Sequence, residues 1–235
     1  MHKCAILQSN YIPWKGTFDL INQVDSFIFL EDVDYTTRDW RTRNKIKTSN
    51  DTTWLSVPVK KAPRGTKIYQ IEIVQDQNWQ EKHYKTILMN YKRAPFFNQN
   101  HYLLEEIYLK NKWSNLSEFN IFTIKLLAKA LNITHTEFIS SLNLTSSGTK
   151  DDKLIQLCQK VGADFYLSGP AAKVYIDQDN FSNANIQLAY INYNNYPSYK
   201  QLHGQFDHHV SVLDVLFNCG NAAQEFIFMN KFTLD

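Results

Sequence analysis

The densest cluster of chemical groups in the chain is basic. Five cations lie within residues 38–47, and they are Arg38, Arg41, Arg43, Lys45 and Lys47. The guanidinium fork of arginine donates two parallel hydrogen bonds, so it suits phosphate and carboxylate groups. If the segment is a strand, the four cations from Arg41 onward share one face. The cluster predicts a diphosphate site for a sugar nucleotide; a charged, solvated edge strand is the second interpretation, and nucleic acid is the third.

Two side chains are candidates for general-base catalysis. Asp32 follows the apolar run at residues 26–30, where a carboxylate can bind a sugar hydroxyl, hold Mg²⁺ or orient a base. Pairing with the neighbouring arginines is its alternative role. His83 lies in a segment of helical spacing, and a histidine titrates near neutral pH, which suits a general base. The alternative for His83 is a histidine packed at the edge of the core.

Residues 9–16 form a loop between an apolar run and a helical pattern. Ligands bind at this place in parallel α/β sheets, because the carboxyl end of a strand and the amino end of a helix meet there. In this loop we expect aromatic side chains to stack on a base or a sugar and a lysine to contact a phosphate. The residues concerned are Tyr11, Trp14 and Lys15. Packing of Pro13 and Trp14 on the core is the alternative.

Two later loops also contain groups that suit anions. Lys150 precedes a helical pattern, and the helix amides favour a negative charge there. The alternative is that this segment only caps the helix, since two acidic residues lie in the first turn. Ser168, followed by Lys173 and Tyr175, ends another apolar run. Two such loops fit a cleft for two substrates.

The elements that position these groups alternate between strands and helices. Residues 4–8, 18–24 and 26–30 form a strand, a helix capped by Thr17 and a strand, which is a βαβ unit with a parallel pair. Apolar runs predict further strands at residues 53–59, 68–74, 133–139, 165–167 and 186–191. Helical spacing predicts helices at residues 79–91, 103–131, 154–161 and 210–217. We expect one α/β domain over residues 1–235, Rossmann-like, with a largely parallel sheet flanked by helices and a helical insertion at about 79–131.

Composition excludes several classes of protein. The 25 Lys and Arg residues against 23 Asp and Glu residues give a formal charge of +2, too small for a general nucleic-acid-binding surface. The three cysteines have no CxxC spacing, and His208 and His209 have no third ligand nearby, so we expect no metal site. No stretch approaches the roughly 20 apolar residues of a membrane span, and the start has no signal-peptide pattern. We expect a cytoplasmic protein.

Several stretches resemble the WbqC-like family, which is found among genes for bacterial O-antigen and other surface polysaccharides. They are QSNYIPWKG at residues 8–16, FLEDVDY at 29–35, RDWRTRN at 38–44, and segments at 166–175 and 211–220. Ser9 departs from the family pattern, which usually has Pro there. The resemblance implies a transferase that acts on amino-sugar intermediates by glycyl or acyl transfer. It includes His83, and it adds Gln8, Asn10, Tyr35 and Asn44 to the expected binding residues.

Three functions are compatible with these residues. The first is a transferase that modifies an amino-sugar nucleotide, with an acyl or aminoacyl donor left open. The second is a nucleotide-dependent ligase or nucleotidyltransferase using ATP with Mg²⁺; residues 10–16 contain no histidine, whereas that superfamily has a pair in this loop. The third is a non-enzymatic binding protein of the same pathway. Apart from ATP under the second function, no cofactor is predicted.

Overall fold

The computed structural model describes residues 1–75, 78–148 and 150–228, together with the backbone of residues 232 and 233. Within these residues the strands are β1 (Lys3–Leu7), β2 (Ser26–Phe29), β3 (Arg43–Thr48), β4 (Asp51–Ser56), β5 (Glu137–Ser140), β6 (Phe165–Ser168), β7 (Gln187–Ile191) and β8 (Phe232–Thr233). Six of them form one sheet in the order β5-β2-β1-β6-β7-β8. Adjacent strands in this sheet are parallel to each other, except that β8 is antiparallel to β7. The predicted, largely parallel sheet is confirmed.

β1 is central because its side chains are apolar on both faces. Cys4, Ala5 and Ile6 are at most 7% exposed, as expected for a parallel sheet that is covered on both sides. The chain continues from β1 to β2 on one side, whereas β6 lies on the other side of β1. The carboxyl end of β1 is therefore the switch point of the sheet, where α/β folds form a crevice for ligands.

Helices cover both faces of this sheet. On one face, α5 (Asp151–Lys160) and α6 (Gln178–Asn183) contribute Leu157 and Phe181 to a buried cluster with Ile6. On the other face, α1 (Lys15–Asn22) and α7 (Leu213–Cys219) join a larger apolar core. The expected α/β architecture with flanking helices is confirmed.

α1 begins three residues before its predicted start. Trp14 is the residue at its N-cap, so Thr17 lies inside the first turn and is not the cap. The Trp14 indole lies against Gly16, where a Cβ atom would be 2.3 Å from the ring. Because only glycine leaves room for the indole, the helix can begin directly beside it. Thr17 as a cap is a wrong prediction.

The insertion consists of the β3–β4 hairpin and three helices. The helices are α2 (Trp79–Tyr91), α3 (Phe97–Tyr108) and α4 (Leu116–Ala130). The single helix predicted at residues 103–131 is thus two helices, and the Asn115 side chain caps the second by accepting from the Glu118 amide at 3.0 Å. The strand predicted at residues 68–74 is wrong: a 3₁₀ helix (Ile68–Gln70) and isolated bridges occupy that segment. Its buried isoleucines pack in the larger core without a continuous ladder.

Candidate functional site

Two segments meet beyond the carboxyl end of β1. They are the loop at residues 8–14 and the segment at residues 35–44. The Tyr11 amide donates to the Trp40 carbonyl at 2.9 Å, and the Asn44 side chain donates to the Ile12 carbonyl at 2.8 Å. The structure thus brings together two regions that the sequence singled out separately.

The loop at residues 8–14 holds a strained residue. Ile12 has φ of +33°, a left-handed conformation that is rare for a β-branched side chain. The buried Asn44 side chain holds this backbone by donating to the carbonyls of both Tyr11 and Ile12. Strain of this kind persists only where surrounding contacts enforce it, and it concentrates at functional sites. Asn44 therefore supports the loop, and its predicted contact with a ligand remains a prediction.

A basic groove is lined by residues 35–43 and 56–62, which belong to the segment before β3, to the β3–β4 hairpin and to the loop after it. Its cavity measures about 470 Å³, and its cations are Arg38, Arg43, Lys60 and Lys61. Tyr35, Thr42 and Ser56 provide further polar lining, and no carboxylate is among the described lining residues. Lys60 pairs with Glu72 at 2.6 Å outside the groove. Arg38 and Lys61 have no acidic partner within the described chain, so they are available to an anion.

The basic cluster does not form one continuous face. β3 begins at Arg43, and Arg41 precedes it, pointing inward as the partner of Asp39. Lys45 pairs with Asp207 at 3.4 Å, and buried Lys47 donates to the Gln205 carbonyl at 2.6 Å. The expected shared face therefore holds for Arg43, Lys45 and Lys47, which alternate along β3, but not for Arg41, which lies outside the strand.

Arg41 lies close to a buried carboxylate. Glu31 is fully buried, and its oxygens accept from the Ser9 amide at 2.8 Å and the Ser9 hydroxyl at 3.0 Å. Burial raises the pKa of Glu31, while hydrogen bonds and the Arg41 charge oppose that rise. Sequence reasoning passed over Glu31 in favour of its neighbour, yet it is the group that ties β1 and β2 together where both strands end.

Asp32 is held by one side chain that follows the neighbouring strand β5 and by one from α5. It accepts from the Ser141 hydroxyl at 2.6 Å and pairs with Lys153 of α5. Burial raises the pKa of Asp32, but the hydrogen bonds from Lys153 and Ser141 outweigh it and bring the pKa below its ordinary value. Asp32 is thus an ionised carboxylate whose partner is a lysine, not the arginines that the sequence suggested.

His83 lies in a buried cluster behind the groove. Its Nδ1 atom is 2.8 Å from the Tyr11 hydroxyl, which is 2.6 Å from that of Tyr108. The ring also bonds the backbone of Ser56, and burial lowers its pKa to about 4. The backbone carbonyl of Ser56 can only accept a hydrogen bond. The neutral imidazole therefore donates a hydrogen bond to that carbonyl and accepts one from the Tyr11 hydroxyl. Since Ser56 lines the groove, His83 stands one hydrogen bond behind the groove wall.

Lys15 lies in an aromatic cage. It is 2% exposed, and its Nζ atom is 4.8 Å from the ring centre of Tyr196, 5.5 Å from Tyr199 and 5.7 Å from Phe206. Burial lowers its pKa to about 8. Aromatic faces attract a cation that has been removed from water.

The remaining predicted residues occupy three other places. Gln8 and Asn10 are half-buried in the first loop, and Trp14 stacks on His209 with ring centres 5.7 Å apart. Ser168 is buried where β6 ends, and Tyr175 is 60% exposed just after it. Lys173 lies over the Tyr190 ring at 4.8 Å, and Lys150 is exposed at the start of α5. β6 lies across β1 from β2, so its loop follows the other strand that borders β1 at the switch point.

The described residues contain no helix with the length and apolar character of a membrane span. No group of three or more His, Cys, Asp or Glu side chains in those same ranges is placed to hold a metal ion.

Comparison with known proteins identifies relatives over nearly the whole chain. The sequence model of the WbqC-like protein family matches residues 8–226. The chain is 39% identical over 227 residues to "Uncharacterized protein Rv1507c" of Mycobacterium tuberculosis, an alignment that covers 97% of this chain and 98% of that protein. No solved structure gives a significant match.

Proposed function

Because the chain belongs to the WbqC-like protein family, we propose that it binds a nucleotide-linked amino sugar and transfers an acyl or aminoacyl group to the amine of that sugar. The proposed setting is the synthesis of bacterial surface polysaccharide in the cytoplasm. The three cysteines, which are free and buried, support a reducing compartment.

The basic groove is the observation that carries this proposal. Arg38, Arg43 and Lys61 line it without a carboxylate among the described lining residues. A diphosphate presents two anionic groups in a row, and several cations along one groove match that pattern. The volume of about 470 Å³ lies in the range of small-molecule sites.

The transfer itself needs a proton acceptor. The amine nitrogen attacks the donor carbonyl carbon, the bond to the donor's leaving group breaks, and the proton released from nitrogen passes through a base to that leaving group. His83 and Asp32 are the proposed bases. The Asp32 carboxylate supports this role because it is ionised and can accept a proton. The neutral His83 ring would accept a proton only after releasing its hydrogen bond from the Tyr11 hydroxyl, because burial lowers its pKa to about 4.

Mass spectrometry tests the activity. The protein is incubated with UDP-, dTDP- and GDP-linked amino sugars and with acyl or aminoacyl thioesters, and the sugar nucleotide is monitored for the mass of the added group. Product formed by the wild type and reduced in Arg38→Gln would support the transferase. Arg64→Gln is the matched control, because Arg64 is exposed on the neighbouring basic loop but does not line the groove. Binding without product would favour a non-catalytic binding protein, and ATP-dependent product would favour a ligase.

A further inference from the structure

Two tryptophans are exposed beside the basic groove. Trp40 is 50% exposed and Trp54 is 46% exposed, and their ring centres are 5.6 Å apart. Large aromatic side chains are usually buried, because each removes a large apolar area from water. A paired exposure of this kind indicates a surface that is kept open for a ligand.

Arg43 connects this tryptophan pair to the groove. Its guanidinium carbon is 4.5 Å from the ring centre of Trp54, and the same residue lines the groove. Ser56, which pairs with Arg43 across the β3–β4 ladder, also lines it. The aromatic surface and the cationic surface are therefore continuous.

Both tryptophans are held by rigid backbone. Trp54 lies within β4, directly opposite Lys45 in the ladder. The Trp40 carbonyl accepts the Tyr11 amide at 2.9 Å, which fixes it to the strained loop at residues 8–14. A stacking surface that is already in place costs little conformational entropy when a ligand binds.

We propose that Trp40 and Trp54 form a stacking subsite for the base of a nucleoside diphosphate whose phosphates lie in the basic groove. This inference rests on the proposed function and specifies how the nucleotide part of the substrate is recognised. Every base has a π-face, so stacking tolerates different bases, and a stacked base contributes about 1–3 kcal/mol in proteins that use this contact. Arg43 stands between the two parts, where one guanidinium can stack on an aromatic ring and donate to a phosphate.

Calorimetry with matched ligands separates the two parts of the site. Uridine 5′-diphosphate, guanosine 5′-diphosphate and inorganic pyrophosphate are titrated into the wild type, Trp40→Ala, Trp54→Leu and the double variant Arg38→Gln/Lys61→Gln. Trp40→Ala is expected to bind both nucleotides about tenfold or more weakly, with pyrophosphate binding unchanged. Trp54→Leu, which also removes the ring beside Arg43, is expected to weaken both nucleotides by at least as much. The Arg38→Gln/Lys61→Gln variant is expected to weaken all three ligands. Thermal unfolding of each variant confirms that it folds. If Trp54→Leu disrupts β4 and does not fold, Trp40→Ala still tests the subsite, because Trp40 lies outside the strands.

The outcomes distinguish this inference from the proposed function. Nucleotides that bind both tryptophan variants as tightly as the wild type would overturn the stacking subsite while leaving the phosphate groove intact. Failure of the wild type to bind any of the three ligands would overturn both proposals. Tryptophan-dependent binding to vesicles of anionic lipid without nucleotide binding would assign the surface to a membrane and would also overturn the inference.

Discussion

Replacing Lys15 by methionine tests the electrostatics of the buried cage. Methionine keeps an unbranched side chain of similar length among the rings of Tyr196, Tyr199 and Phe206, but it removes the charge. Burial lowers the pKa of Lys15 to about 8 in the fold, against about 10.4 in an unfolded chain. The difference between these two pKa values means that the folded state is destabilised by about 3 kcal/mol while Lys15 is charged.

The sign of the pH dependence follows from proton binding. Between pH 8 and pH 10.4 the unfolded chain holds a proton that the folded Lys15 has released, so the wild type gains stability from this group as pH rises. Lys15→Met has no such group. The stability of the variant relative to the wild type is therefore expected to fall by about 2 kcal/mol between pH 7 and pH 9.5.

Urea unfolding at matched pH measures this difference. Circular dichroism follows the transition, and the five tryptophans provide a fluorescence signal. Lys92→Met is the control, because Lys92 is exposed just after α2 and undergoes the same chemical change. A difference between Lys15→Met and the wild type that stays constant from pH 7 to pH 9.5 would refute the reasoning, since the lysine would then keep its proton inside the cage.

Three further variants test the loop and the predicted bases. Gly16→Ala is expected to lower the free energy of unfolding by about 1–3 kcal/mol in denaturant titration, because its Cβ would lie 2.3 Å from the Trp14 ring. Asp32→Asn is expected to cost about 1 kcal/mol at pH 7 by loss of the Lys153 pair. Because the pKa of Asp32 lies below its ordinary value in the fold, this cost should begin to shrink only below the ordinary aspartate value of about 3.9, as the wild-type carboxyl is protonated; a cost that is unchanged at still lower pH would contradict this. His83→Gln is expected to lower turnover at least 100-fold with nucleotide binding within threefold of the wild type, and equal loss of binding would show that His83 only supports the groove wall.

The parallel core was predictable because burial on both faces leaves a clear signal. Residues 3–7 and 26–29 are nearly continuous apolar runs. Few short elements other than the buried strands of a parallel sheet require such runs. Residues 68–74 show the opposite case. Their alternating isoleucines match a strand, yet the structure forms a 3₁₀ helix and isolated bridges, because the pattern records burial of alternate residues and not the presence of a partner strand.

The sequence predicted the chemistry of the site but not all of the residues that line it. The arginine-rich segment predicted an anion site, and Arg38 and Arg43 do line the groove. Arg41 turns inward to Asp39, and Lys61 arrives from a loop about twenty residues later. Sequence spacing shows which residues share a strand face, whereas tertiary packing decides which of them remain exposed to a ligand.

The cage around Lys15 could not be derived from sequence at all. Its rings belong to residues 196, 199 and 206, about 180 residues after the lysine that they surround. A lysine at the start of a helix predicts contact with an anion, and only the folded chain shows that aromatic rings occupy its surroundings.

The proposed function requires that the basic groove holds the diphosphate of a nucleotide-linked amino sugar. Isothermal titration of UDP-, dTDP- and GDP-linked amino sugars into the wild type and into Arg38→Gln/Lys61→Gln measures this binding. We expect at least one of these ligands to bind the wild type and the double variant to bind it roughly 100-fold more weakly, since each charge-assisted contact contributes about 1.5 kcal/mol or more. Equal affinity in the two proteins, or no binding by the wild type, would show that the groove does not hold the diphosphate.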